Sequence, residues 1–171
     1  MATFTNNPTE WERLDWQLLQ NSPVTIYFDR EILESDVSWF RADGYRVLSI
    51  RAAEHSSPEA LLVALGKVLA FPDYFGRNLD AFNDCLSDVE VPDAGGLLLV
   101  LDEYAPFTAY FRREAQAVLD ICADQARRFL LIGRRFVVLV QSGDPTLTFD
   151  PVGASPVMWN PREWLNANRG L

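Results

Sequence analysis

The run "LLLVLDEY", residues 97–104, constrains the fold more than any other stretch. It shows no alternation of polar and apolar residues, so it reads as a strand covered on both faces, which places it inside a layered sheet. "VTIYF", after Pro23, also suits a buried strand; "YRVLSIRA" at 45–52 and "RFVVLVQ" at 135–141 complete a set of four. Helical patterns stand between them. "TEWERLDWQLLQ" at 9–20 reads as a first helix with Trp11, Leu14, Leu18 and Leu19 on one side. "DREILESDVSWFRADG" reads as a second with Gly44 as its stop, and "HSSPEALLVALGKVLAF" as a third, with Ser57 as N-cap and Pro58 at the first helical position. A long helix from about Thr108 to Leu131 ends at Gly133. Strands alternating with helices imply βα units, so the expected class is α/β with a mostly parallel sheet flanked by helices. The tail differs: "TLTFD", "PVMWN" and a last helical turn from Pro161, capped by Asn160, read as an irregular or antiparallel addition.

At 171 residues one domain is expected over 1–171, and 49% hydrophobic residues leave ample material for its core. A formal charge of −9, with Lys67 the single lysine, argues against direct nucleic-acid binding, which needs clustered cations. The acidic balance favours a basic protein partner, or solubility alone. "MATFTNNPTEWERLD" has neither a basic nor an apolar export region, and the longest apolar runs are too short to span a bilayer. A cytoplasmic protein without membrane contact is therefore expected, with Cys85 and Cys122 as buried thiols. His55, the single histidine, lacks partners for a metal or nucleophile site and reads as a loop residue. With no GxGxxG or GxxxxGK[ST] motif, no cofactor is implied.

The most informative stretch is "FPDYFGRNLDAFNDCL", residues 71–86. Pro72 forces a loop, and a short helix begins near Asn78. At 100° per residue, Leu79, Phe82, Cys85, Leu86 and Val89 share one arc, while Asp80, Asn83, Asp84 and Ser87 lie opposite. Asp80 and Asp84 are i, i+4 neighbours with no cation between them, a repulsion that the helix N-terminus partly offsets. The polar side is a solvated face or an interface. Tyr74 and Phe75 in the preceding loop need a core slot or a partner. Gly76 permits a backbone geometry other residues resist, and Asn78 is placed to cap the helix or brace the loop.

Residues 69–88, "LAFPDYFGRNLDAFNDCLSD", closely resemble the signature of the barstar family of ribonuclease inhibitors. That signature is a helix, a Pro-acidic-aromatic-aromatic-Gly loop, then Asn-Leu-Asp-Ala and Asp-Cys-Leu. Pro72, Asp73, Tyr74, Phe75, Gly76, Asn78, Leu79, Asp80, Ala81, Asp84, Cys85 and Leu86 match it without a gap. The resemblance covers about 45–141, leaving an N-terminal βα extension at 1–44 and the tail at 142–171. It implies a barstar-like fold and inhibition rather than catalysis. Carboxylates on the helix would stand in for RNA phosphates in the active site of a basic, barnase-like extracellular ribonuclease.

The resemblance makes Asp84 the central carboxylate, Asp80 the second, and Tyr74 the aromatic against the enzyme's catalytic region. Phe75, Gly76, Asn78 and Leu79 complete the loop, and Asn83 stands on the same face. Asp124 takes the place of a further acid near the end of the next long helix, with Asp120 as an alternative. Arg77 stands where the best-known member has Glu, and Asn83 where an aromatic is familiar. Both departures point away from barnase itself towards another cognate toxin. Two other readings stand beside this one: immunity against a non-ribonuclease partner through the same surface, and a metal-dependent hydrolase using Asp80 and Asp84, for which no third ligand or nucleophile is visible.

Overall fold

The structure, a computed structural model, describes residues 4, 6–164 and 166–169. Five strands, β1 (Val24–Tyr27), β2 (Arg46–Arg51), β3 (Leu97–Asp102), β4 (Phe136–Gln141) and β5 (Met158–Trp159), form a sheet in the order β2-β3-β4-β1-β5. Every pairing in it is parallel. The tail is irregular, as expected, but its strand corrects the antiparallel alternative: β5 lies parallel to β1, Thr25 opposite Met158. The chain crosses from β4 over α7 before returning, and a crossover delivers a parallel strand.

Helices cover both faces. On one lie α4 (Pro58–Val68), α5 (Leu79–Ser87), α6 (Tyr104–Tyr110) and α7 (Arg112–Leu131), packed on Leu97, Leu99 and Leu101 of β3 and Phe136, Val138 and Val140 of β4. On the other, α2 (Leu14–Leu19) and α3 (Arg30–Ala42) bring Leu18, Leu33, Val37 and Phe40 onto Leu98, Val100, Val137 and Leu139. Successive residues of β3 and β4 thus enter opposite cores, which is why these strands show no alternation. The N-terminal extension supplies this entire second layer, and its strand β1 pairs with β4 in the interior of the sheet.

The expected helix at 9–20 is two helices, α1 (Pro8–Trp11) and α2. Arg13 takes an extended backbone between them, and its guanidinium reaches both Asp15 and Asp43. Trp11, assigned to the apolar side, is instead exposed. The long helix expected from Thr108 is also two: α6 begins at Tyr104 and α7 at Arg112, with Phe111 leaving helical geometry so that its ring stacks near Phe107. β3 accordingly ends at Asp102. Gly44 ends α3 in the left-handed region, φ 83°, with the Tyr45 amide donating to the Phe40 carbonyl at 3.0 Å.

Two buried polar knots fasten the extensions. Below the N-terminal ends of β2 and β4, the fully buried Asp15 carboxylate accepts from Tyr45 Oη at 2.6 Å, from Arg13 Nε and Nη2 at 3.0 and 2.9 Å, and from Arg135 Nη1 at 2.9 Å. At the opposite end, Glu163 accepts from the Phe28 and Asp29 amides at 2.9 and 2.8 Å, and Asp36 accepts from Tyr27 Oη, Asn160 and Arg162. Cys85 and Cys122 are buried free thiols, the latter pushed up to about 12 by burial. Among the described residues no helix is long and apolar enough to cross a membrane.

Candidate functional site

α5 begins where the sequence places it. Asn78 performs both roles open to it: Oδ1 accepts from the Ala81 amide at 2.9 Å as N-cap, and Nδ2 donates to the Gly76 carbonyl at 3.2 Å, bracing the loop. Phe82 and Leu86 are fully buried and Cys85 nearly so, while Leu79 packs half-buried at the edge of the same core. Asp80 and Asp84 stand exposed on the opposite side, one turn apart. Neither carboxylate has an ion-pair partner among the described residues; Asp84 is met by the Asn83 amide nitrogen at 3.5 Å. Two uncompensated carboxylates on one helical face form a negative patch open to a cationic ligand.

The loop divides its two aromatics. Phe75 turns inward, its ring 5.0 Å from Phe71 in an edge-to-face pair, and Phe71 lies 5.8 Å from Phe82. Tyr74 points outward and is 82% exposed. Gly76 is corrected in its reason: its backbone is not left-handed, whereas Arg77, φ 53°, is. A Cβ at Gly76 would stand 3.3 Å from both Asn78 Nδ2 and the Ala81 methyl, tighter than ordinary contact.

Asn83, assigned to the exposed face, is turned partly inward. Gln125 of α7, 1% exposed, donates its amide to Asn83 Oδ1 at 2.8 Å and to the Asn83 carbonyl at 3.2 Å. This bond ties α5 to α7 beside Asp84. Asp124 is half-exposed but set among its own cations, 3.2 Å from Arg127 and 3.7 Å from Arg128. Its alternative, Asp120, is engaged by the tail through the Gly153 amide at 2.9 Å. Arg77 is 64% exposed and only 3.9 Å from the equally exposed Glu59, a pairing worth little in water.

Gln125 was not legible as a site residue, although a glutamine within the apolar arc of a helix is a signal in itself. Burial, then the Asp84 and Asp88 charges, push the Cys85 thiol up. Among the described residues no group of three His, Cys, Asp or Glu side chains is placed to hold a metal ion, and Asp80 and Asp84 lack a third donor.

Comparison with known proteins bears on the family of the chain. The model of one family, described as Barstar (barnase inhibitor), matches residues 45–141. A Bacillus subtilis (strain 168) protein named "Putative ribonuclease inhibitor YrdF" is 36% identical over 77 residues, covering 44% of this chain and 80% of that protein.

Proposed function

This chain belongs to the barstar family, and we propose that it is an inhibitor of a ribonuclease, setting the Asp80–Asp84 face of α5 and the Tyr74 ring into the enzyme's active site. The observation that carries this reading is the pair of exposed carboxylates, without an ion-pair partner among the described residues, on a helix whose braced entry loop exposes Tyr74. A ribonuclease must present cations to the phosphates of its substrate. Carboxylates spaced along a rigid helix meet those cations with charge-assisted hydrogen bonds, the strong kind, and exclude RNA without any chemistry of their own. Tyr74 adds apolar area at the edge of the acidic patch, where a flat ring fills a partner's pocket at low entropic cost. The protein acts in this reading as a binding partner in the cytoplasm, not as an enzyme, and the target is a basic, secreted-type nuclease.

The acidic face also steers a basic partner, an effect that ionic strength screens. The test is a stopped-flow titration with barnase and a panel of basic secreted ribonucleases at about 0.05 and about 0.5 M salt. Fast association that slows steeply with salt, and slows again in Asp80→Asn, supports the reading. Absence of a complex with every ribonuclease in the panel counts against it. Arg77, exposed beside the acidic patch, favours a second target class, a non-ribonuclease toxin with an acidic group opposite it. Capture of such a toxin through Tyr74 and Asp84 would identify that case.

A further inference from the structure

We infer that Gly66 is a positioning residue for the loop that presents Tyr74, acting through the Phe75 ring; the inference rests on the inhibitor reading above. Gly66 sits in the last turn of α4, flanked by Leu61, Leu62, Leu65 and Leu69, all buried. A glycine there weakens the helix and has no conformational justification, because its backbone is not left-handed. Its justification is steric. A Cβ at Gly66 would stand 2.9 and 3.1 Å from Cδ1 and Cε1 of Phe75, and 3.4 Å from Cδ2 of Phe71. The missing side chain is the seat on which the Phe75 ring rests.

The ring is bounded on one side and its backbone is held. Phe71 closes one side of it at 5.0 Å, and the Phe75 amide is tied to the Pro72 carbonyl at 3.0 Å. Beyond it, the Gly76 carbonyl is held by the Asn78 amide that braces the loop. A methyl group on residue 66 therefore displaces the ring together with residues 74–76. Since Phe75 faces α4 and Tyr74 faces solvent, that movement re-aims the exposed tyrosine. Gly66 touches no target in this arrangement and acts only by where it lets Phe75 lie.

The test is a mutant cycle of Gly66→Ala, Phe75→Leu and the double variant, each measured for inhibition of RNA cleavage by barnase, urea midpoint and exchange of the Phe75 amide. Gly66→Ala is expected to weaken inhibition about tenfold or more, as overpacking against an immobile ring does. Its urea midpoint falls less than that loss implies, because alanine favours the helix. In the Phe75→Leu background, where the ring edge is gone, the same substitution costs no further inhibition. Undiminished inhibition by Gly66→Ala, or an equal loss in both backgrounds, overturns the inference. If Gly66→Ala does not fold, the double variant decides: a folded double supports the seat and an unfolded one refutes it. If the wild type leaves barnase uninhibited, the inhibitor reading loses that target, and amide exchange decides instead. Faster exchange at Phe75 in Gly66→Ala, absent when alanine is added to Phe75→Leu, supports the seat; unchanged exchange in Gly66→Ala overturns it.

Discussion

Replacing Asp15 with asparagine removes one buried charge and leaves the shape intact. The Asp15 carboxylate accepts from both Arg13 and Arg135 and from the Tyr45 hydroxyl, and is itself fully buried. Deleting one partner of a buried ion pair costs about 3–5 kcal/mol, because the other charge is left unpaired. Arg13 keeps Asp43 as a partner, and the two guanidinium groups, 28% and 20% exposed, regain some water, so the lower end, about 3 kcal/mol, is expected. Against a total stability of about 5–15 kcal/mol this is severe, and for a chain of this length it lowers the Tm by about 6–12 °C.

The effect carries a pH signature. Burial alone would raise the Asp15 pKa, but the Arg13 and Tyr45 hydrogen bonds and the Arg13 and Arg135 charges outweigh it and hold the group below the usual carboxylate range. A carboxylate depressed in the folded state contributes stability above its unfolded pKa, and that contribution is lost as pH falls through the folded value. The gap between wild type and Asp15→Asn should therefore be full at neutral pH and narrow below about pH 4. Urea unfolding of both proteins at steps from about pH 7 to pH 3 measures it. A gap below about 1 kcal/mol at neutral pH, or one that does not change with acidification, refutes the reasoning.

Three further outcomes follow from the same structure. Residues 45–141 alone bare Tyr45, Leu98, Val100, Val137 and Leu139, at about 1.5–3 kcal/mol for each large side chain, a loss as large as the fold's whole stability. That fragment should show no cooperative urea transition; a soluble fragment that unfolds cooperatively would show that the second layer is dispensable. Asn78→Ala removes both the α5 cap and the loop brace and should cost about 1–2 kcal/mol by denaturation, more than Ser57→Ala, which removes a cap alone. Gln125→Leu leaves the Asn83 side chain without its buried partner and should lower stability by about 1–3 kcal/mol, with amide exchange rising in α5 before it rises in β3.

The sheet was legible because burial on both faces leaves a mark that one strand carries alone, in "LLLVL" and "FVVLV". The cap at Asn78 and the exposed faces of Asp80 and Asp84 were legible because they depend on neighbours within one turn. What lay beyond the sequence depends on partners far along the chain. Asp15 meets Tyr45 and Arg135 only once α2 lies under the sheet, and Glu163 finds the Phe28 amide across 135 positions. β5 could not be given a direction from two residues whose partner strand is β1. The loop was half legible: its residues were identified, but the inward turn of Phe75 and the outward turn of Tyr74 are set by the gap at Gly66. Asn83 reads as surface by helical period, yet the buried Gln125 reaches across from α7 to hold it.

The measurement closest to the central claim is inhibition of RNA cleavage by barnase-like ribonucleases, with the wild type set against Asp84→Ala. Asp84 is exposed, fastens nothing in the core and is met by a single weak contact from Asn83, so the variant should fold as the wild type does. Strong inhibition by the wild type, lost by at least about a hundredfold in the variant while its urea midpoint is unchanged, is the predicted result. Equal inhibition by both proteins would contradict the placement of this helix in the enzyme's phosphate site.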